Sequence, residues 1–368
     1  MPKGWTKIKL GDLICLNYGK GLREESRTKG NIPVYGSSGI CGYHDEALVS
    51  DEGIIVGRKG TVGSVYKSKG PFFPIDTVYY IQKQETQCNW NYIYYLLKYL
   101  QLGRLNFDSA VPGLNRDIAY DEEVIMPKEE AEQEAIARVL TNFDDKSELL
   151  REENNTLETI IQTLFKQWFA GDNLDNTTGT WEVRNLSSIA NFLNGVPSQK
   201  YPPKNKEDVL PVIKIRELKS GITNVTDQAT KDIDNKYIVN DGDILFSWSG
   251  SLELVIWEHG RGVLNQHLFK VSSKDFPKWF FYSWIKKHLP HFRMIATSKA
   301  TTMGHIQRHH LDEAKVLIPP DDLLRKADKN IGPLFGKLVN NKCQIHVLNH
   351  LQNILLPELM SGEMRVIK

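Results

Sequence analysis

Val49-Ser-Asp-Glu-Gly-Ile-Ile-Val-Gly-Arg-Lys-Gly60 and Val239-Asn-Asp-Gly-Asp-Ile-Leu-Phe-Ser-Trp-Ser-Gly250 lie 190 residues apart and read the same way. In each, an acidic turn leads into a short apolar run that ends in a glycine-containing loop. Such a run, bounded by turn residues, predicts a buried strand. Working outward, the same pairing continues in order. Trp5-Thr-Lys-Ile-Lys-Leu10 matches Trp181-Glu-Val-Arg-Asn-Leu186 at a separation of 176, and Gly19 matches Gly195 at the same separation. Pro33-Val34 matches Pro211-Val212 at 178, Ile75–Tyr79 matches Asn265–Phe269 at 190, and Val124-Ile-Met-Pro127 matches Val316-Leu-Ile-Pro319 at 192. The separation only grows, as it does when a second copy has gained a few loop residues. The chain is therefore read as a tandem duplication, and a period of half the chain decides the fold.

Each copy opens with a strand-rich block in which Trp90–Leu102 and Pro277–Leu289 are helix-like, and closes with a helical tail. The acidic pair Glu129-Glu130 after Pro127 suits a helix start at the positive end of the dipole. Ile136, Val139, Leu140 and Phe143, then Leu157, Ile160, Ile161, Leu164, Phe165 and Trp168, fall on one helix face. Ile331, Leu334, Phe335, Leu338 and Val339 repeat the pattern, and Leu348, Leu351, Leu355, Leu356 and Leu359 continue it. A helix of about 42 residues would be about 63 Å long, too long for one small domain to cover its stripe. The expected packing set is Ile136, Leu140, Phe143, Leu157, Ile160, Leu164, Trp168, Leu334, Leu338, Leu348, Leu351, Leu355 and Leu359. The alternative is a tail folded back on its own domain. Thr141–Asp145 is expected to break or bend the first helix. The fold class is α+β: two tandem α/β domains separated by two long antiparallel helices that form a coiled coil, with boundaries at 1–127, 128–172, 173–320 and 321–368.

Composition narrows the function. The chain of 368 residues carries a formal net charge of only +1. Its charge alternates along the sequence, at +4 over 1–120, −8 over 121–170, +3 over 171–320 and +2 over 321–368. Cys15, Cys41, Cys88 and Cys343 are scattered and form no Cys-x-x-Cys pair, which fits a reducing, cytoplasmic setting. No signal core or membrane-length apolar run is present in the sequence. Phosphate-loop and nucleophile-elbow signatures are missing, and Tyr201-Pro-Pro203 lacks the leading Asn or Asp of an amine methyltransferase segment. A self-contained nuclease or methyltransferase, and a duplicated scaffold for protein or glycan, are the two rival classes. No cofactor and no metal is expected, because His305, His309 and His310 show no Glu or Cys partner at a ligand spacing.

The helical motifs carry a family resemblance. Glu132-Gln133 with Ile136 and Leu140, Leu164-Phe165-Lys-Gln-Trp-Phe169, the two Trp openings and the stretch Leu355-Leu-Pro-Glu-Leu-Met-Ser-Gly-Glu-Met-Arg-Val366 resemble the specificity subunits of type I restriction-modification systems. The second copy departs from this pattern, with Pro319-Pro-Asp-Asp-Leu-Leu-Arg-Lys in place of the Glu-Gln start. The resemblance implies target-recognition domains at 1–127 and 173–320 and conserved helices at 128–172 and 321–368. It further implies a non-catalytic, sequence-specific DNA-binding subunit, each domain reading half of a bipartite double-stranded target. The helices would set the spacer and dock two methyltransferase subunits, and a restriction/translocase subunit would join.

Base reading needs side chains at groove edges and cations on flanking phosphates. In the first copy the candidates are Lys20, Arg23, Arg27 and Lys29, which equally fit a solvated charge run. Tyr35, Ser37 and Ser38 lie in a glycine-rich segment that equally fits a plain turn. Arg58, Lys59 and Thr61 form the strongest candidate loop, with Arg116 beyond it. In the second copy they are Lys200, Lys204, Lys214, Arg216, Trp248, Ser249, Ser251, Lys299, Thr301, Thr302, His305, Gln307 and Arg308. Trp248 takes the place of Arg58, so the two copies should prefer different half-sites.

Overall fold

The computed structural model describes residues 1–105, 113–169, 181–205, 207–298 and 304–366. The chain divides into two compact units, Met1–Asp145 with Asn349–Lys368, and Lys146–Leu348. The first copy contributes β1 (Trp5–Lys9), β2 (Asn17–Tyr18), β3 (Ile32–Gly36), β4 (Gly39–His44), β5 (Gly53–Gly57), β6 (Val65–Ser68), β7 (Phe73–Pro74), β8 (Val78–Gln82) and β9 (Glu123–Pro127). Its helices are α1 (Trp90–Leu100), α2 (Arg116–Tyr120) and the long α3 (Glu130–Phe169). The second copy repeats this with β10 (Glu182–Asn185), α4 (Leu186–Ile189), β11 (Asn191–Asn194), β12 (Leu210–Ile213), α5 (Ile215–Ser220), β13 (Gln228–Ala229), β14 (Ile238–Val239), β15 (Ile244–Ser247), β16 (Leu254–Ile256), β17 (Gly262–Leu264) and β18 (Leu268–Ser272). It closes with α6 (Lys278–Ser298), α7 (Arg308–Glu313), β19 (Lys315–Ile318) and α8 (Asp321–Ser361). The architecture is α+β, and α3 and α8 each run from one unit into the other.

The duplication is visible in hydrogen-bonded order. The main sheets are β2-β8-β5-β6 and β11-β18-β15-β16. Ile54–Val56 pairs with Val65–Lys67, and Ile244–Phe246 pairs with Leu254–Ile256, both antiparallel. In each copy a second sheet contains one parallel pair, β3 with β7 and β12 with β17. The Trp opening and the strand-Pro segment of each copy, distant in sequence, close on each other. Trp5 pairs with Pro127, and Glu182 pairs with Ile318. This clasp brings the head to the root of its helix.

Side-chain chemistry fixes that root differently in the two copies. In the first, Trp5 Nε1 donates to Glu132 Oε1 (3.2 Å), and Arg365 pairs with the same oxygen (2.8 Å). Gln133 Nε2 donates to the Pro127 carbonyl and its Oε1 accepts from Asn89 N, both at 3.0 Å. The Glu-Gln motif is thus a two-residue bracket between helix and head. The second copy lacks it, and Asp328 on α8 serves instead, accepting from Trp279 Nε1 of α6 (2.7 Å).

Within the first unit, Ile136 and Leu140 of α3 share a core with Leu359 and Met360 of α8 and with Trp5 and Leu10. Gln352 Nε2 donates to the Leu140 carbonyl (3.1 Å). Within the second, Leu157, Ile161, Phe165 and Phe169 of α3 meet Ile331, Phe335 and Leu338 of α8 over the aromatic face of α6. Asn341 Nδ2 donates there to Glu153 Oε2 (2.8 Å). Three expectations are corrected. Helix α3 is continuous through Thr141–Asp145. Those residues include neither Gly nor Pro, and Asp144 accepts from Tyr95 Oη (2.7 Å), so nothing interrupts the backbone ladder. Ile160 and Leu351 are 40% and 41% exposed and are not packing residues. The buried positions of α3 run Ser147, Leu150, Asn154, Leu157 and Ile161, alternating steps of three and four that leave Ile160 one position off the stripe.

Candidate nucleic-acid interface

At one end of each main sheet, four separate segments are fastened together in the same way. In the first copy the loop after β5 donates Arg58 N and Lys59 N to the Thr77 carbonyl (2.9 and 3.0 Å). Leu114 N donates back to the Arg58 carbonyl (2.8 Å), and Lys59 forms an isolated bridge with Gly113. In the second copy Trp248 N donates to the His267 carbonyl (3.3 Å), Ile306 N donates to the Trp248 carbonyl (2.9 Å), and Ser249 bridges His305. Gly19 N and Gly195 N close the fourth side on the carbonyls of Val78 and Leu268 (3.2 and 3.1 Å). A Cβ on Gly19 would lie 2.0 Å from the Ile75 carbonyl oxygen, and one on Gly195 would lie 2.3 Å from that of Asn265. Only glycine permits the approach. The loops also turn at matched left-handed glycines, Gly60 (φ 79°) and Gly250 (φ 63°).

Aromatic rings carry the side chains above this scaffold. The Arg58 guanidinium lies 5.3 Å from the Tyr18 ring centre and 5.9 Å from that of Tyr79, and Arg116 lies 5.2 Å from Tyr18. Tyr18 is 52% exposed and meets Tyr79 edge-on at 5.1 Å. Burial, then the Tyr18 hydroxyl, push the Tyr79 phenol up to about 12, and it donates to the Leu114 carbonyl (3.0 Å). The second copy answers position by position. Arg308 lies 5.7 Å from the Phe269 ring, and Trp248 lies against Phe269 and His267. Trp248 Nε1 donates to Asn194 Oδ1 (3.0 Å). Cations over aromatic rings beside the loops that follow the strands make a face suited to phosphates and base edges.

The sequence-derived residues distribute unevenly over these faces. Arg58, Lys59, Thr61 and Arg116 converge in the first copy, with Ser37 beneath them accepting from Thr61 N (3.3 Å). Trp248, Ser249, His305 and Arg308 converge in the second, with Gln307 as the cap residue of α7. Lys20, Lys29, Ser38 and Ser251 are exposed on loops, and Lys200 is exposed at the end of the short 3-10 helix Ser198–Lys200. Lys299, Thr301 and Thr302 lie outside the described residues. Tyr35 is corrected: it is 7% exposed and packs edge-on against Phe72, and burial raises its phenol. Arg27 donates to the Cys41 carbonyl (2.7 Å), which fixes it on β4. Lys204 pairs with Asp232 (2.5 Å), Lys214 with Asp227, Arg216 with Glu217 (2.8 Å), and Arg23 with Glu25 (3.7 Å). These four cations face carboxylates of their own copy. The ligand atoms of His309, His310 and Glu313 lie within 4.8 Å of one another, so a glutamate partner does exist, four residues after His309. His310 Nδ1 is already occupied by Gln307 N–H (2.9 Å).

Sequence reading missed Tyr18, Tyr79, Asp76, Asn194, Gln266, His267 and Phe269. Asp76, Tyr79, Gln266, His267 and Phe269 lie in the matched stretches Ile75–Tyr79 and Asn265–Phe269, whose repeat marks the segment but not which side chains meet the loops, and Tyr18 and Asn194 directly precede the matched Gly19 and Gly195.

A family model described as the type I restriction modification DNA specificity domain matches residues 2–159 and 178–362. The chain belongs to this family. As a type I specificity chain it recognises DNA by sequence and is a non-catalytic subunit of a restriction-modification system. The chain is 28% identical over 303 residues to the MjaIX specificity subunit of Methanocaldococcus jannaschii, covering 75% of this chain and 69% of that one. It is 22% identical over 191 residues to the EcoBI specificity subunit of Escherichia coli, covering 50% of this chain and 40% of that one. In fold, this specificity chain is similar to a type I restriction-modification system S subunit from M. genitalium, with a TM-score of 0.65 at 19% identity over 97% of this chain and 96% of the other. Among the described residues, no helix is long and apolar enough to cross a membrane.

Proposed function

We propose that the chain reads a bipartite duplex target, one half-site with each copy. The long helices pair as an antiparallel coiled coil that sets the unread gap. The observation that carries this reading is the shared fastening of Arg58, Lys59 and Gly113 in one copy and of Trp248, Ser249 and His305 in the other. One scaffold presented twice with different side chains is what two unlike half-sites require. In support of the coiled coil, Leu140 with Gln352 and Glu153 with Asn341 pair rising positions of α3 with falling positions of α8. The recognition domains are 1–127 and 173–320, and the helices 128–172 and 321–368. By family membership the helices dock two methyltransferase subunits, a restriction/translocase subunit completes the complex, and the complex works in the cytoplasm.

The test is duplex binding by the chain assembled with its methyltransferase subunits. A selected duplex should be retained against excess unrelated competitor, and log affinity should fall linearly with log salt as phosphate contacts release counterions. Equal loss of every duplex to competitor would overturn the reading.

A further inference from the structure

The residues at positions 58 and 248 differ in chemistry but spend their donors on one equivalent acceptor. Arg58 Nε and Nη2 both donate to the Asp76 carbonyl (3.1 and 2.8 Å), and Trp248 Nε1 donates to the Gln266 carbonyl (3.1 Å). Each therefore anchors the tip of the turn before β8 or β18, and the side chain of that tip residue stands on the rim of the face. In the first copy it is a carboxylate, in the second an amide.

We propose that positions 76 and 266 are base-reading positions, Asp76 taking a cytosine and Gln266 an adenine. The inference rests on the reading that both faces hold DNA. Asp76 is exposed beside Arg58, which holds its carbonyl, and among the described residues its carboxylate forms no ion pair. Phosphate oxygens repel a carboxylate, so on this face it can be matched only by a donor. Ionised Asp is acceptor-only. The donors in the major groove are the exocyclic amines of cytosine and adenine. Adenine sets its N7 lone pair beside that amine, where it would oppose the second carboxylate oxygen, whereas cytosine offers no such acceptor. Cytosine is the better match.

Gln266 has a different inventory. Its Nε2 lies 3.3 Å from His267 Nε2, and Ser249 Oγ lies 3.1 Å from His267 Nδ1. In the Nδ1–H tautomer the ring donates to the buried Ser249 hydroxyl and accepts from the amide at Nε2, and this tautomer orients the amide. One N–H and the carbonyl oxygen stay available side by side. That is the complement of adenine N7 and N6. Trp248, tilted 40° against the same imidazole with ring centres 5.5 Å apart, packs beside the ring.

The experiment uses the complex of this chain with its methyltransferase subunits. A duplex library randomised in both halves is selected for binding, and the bound fraction is sequenced. Asp76→Asn and Gln266→Glu keep the shape and the anchoring carbonyl. Asp76→Asn should move one position of one half-site from cytosine toward adenine by about tenfold or more, the size of one lost base contact, with the other half unchanged. Gln266→Glu should move one adenine of the other half toward cytosine. The untouched half reports that the complex is intact. Binding that persists with every position unchanged, or that weakens alike for all sequences, would overturn the assignment while leaving DNA reading by these faces in place. A wild-type complex that selects no sequence at all would overturn the underlying reading as well.

Discussion

A guanidinium and an indole doing one job at positions 58 and 248 show what side-chain identity means on this scaffold. Arg58 is half-buried and committed to the Asp76 carbonyl, so its removal should loosen a loop rather than delete one phosphate contact. Arg58→Ala is expected to reduce affinity at least tenfold, and Arg58→Lys to recover little of it, since an ammonium lacks the two-pronged fork. Equal binding by Arg58→Lys and the wild type would contradict this. A second residue-scale prediction concerns His259, whose Nδ1 lies 3.2 Å from Nδ1 of His346. Burial first, and then His346, lower the His259 pKa; Asp241 opposes and Lys342 reinforces the shift. A base with a depressed pKa in the folded state is charged more readily when unfolded. Its contribution is present above the unfolded value near 6.5 and is lost as pH falls from there toward the folded pKa. Burial lowers His288 in the same sense. The unfolding midpoint should therefore fall between pH 7 and pH 5, and fall less in His259→Gln. An identical slope in that variant would contradict the assignment.

The elements were legible to different degrees. Strands β5 and β15 and helices α3 and α8 announce themselves because an apolar run or stripe is a local pattern. The fastenings among Gly19, Arg58, Thr77 and Leu114 are backbone bonds between distant segments and leave no local signature, so the tip residues Asp76 and Gln266 passed unnoticed. Tyr35 was misplaced because a glycine-rich flank hid a strand. The long helices also carry polar residues on their buried stripe, among them Ser147, Asn154, Asn341 and Gln352. An apolar-only reading skips these and so put Ile160 and Leu351 on the seam. Asn341 is informative: its Nδ2 bonds Glu153 while its buried Oδ1 has no partner among the described residues. Asn341→Leu should raise stability by about 1 kcal/mol, the scale of an unsatisfied buried polar group, and weaken the preference for one register. Leu140→Ala, at a fully buried position, should cost about 2–5 kcal/mol. Calorimetry checks both, and a destabilised Asn341→Leu chain would count against an unsatisfied amide in the seam.

At the scale of the molecule, the proposal that each copy reads one half-site and the long helices set the gap makes gap length a property of helix length. Removing seven residues from each of α3 and α8 preserves the stepping of three and four along the stripe. It shortens each helix by about 10 Å, close to three base pairs at about 3.4 Å per pair. The tolerated gap should shrink by that amount with both half-sites unchanged; an unaltered gap would reject the role of the helices as a spacer. The central claim is that each copy reads its own block of one split target. Its most direct measurement is a genome-wide map of methylated adenine in the source strain, with this gene intact and with it deleted. The account predicts a motif of two specified blocks around an unspecified gap that disappears on deletion. A single uninterrupted motif, or a methylation pattern indifferent to the gene, would contradict it.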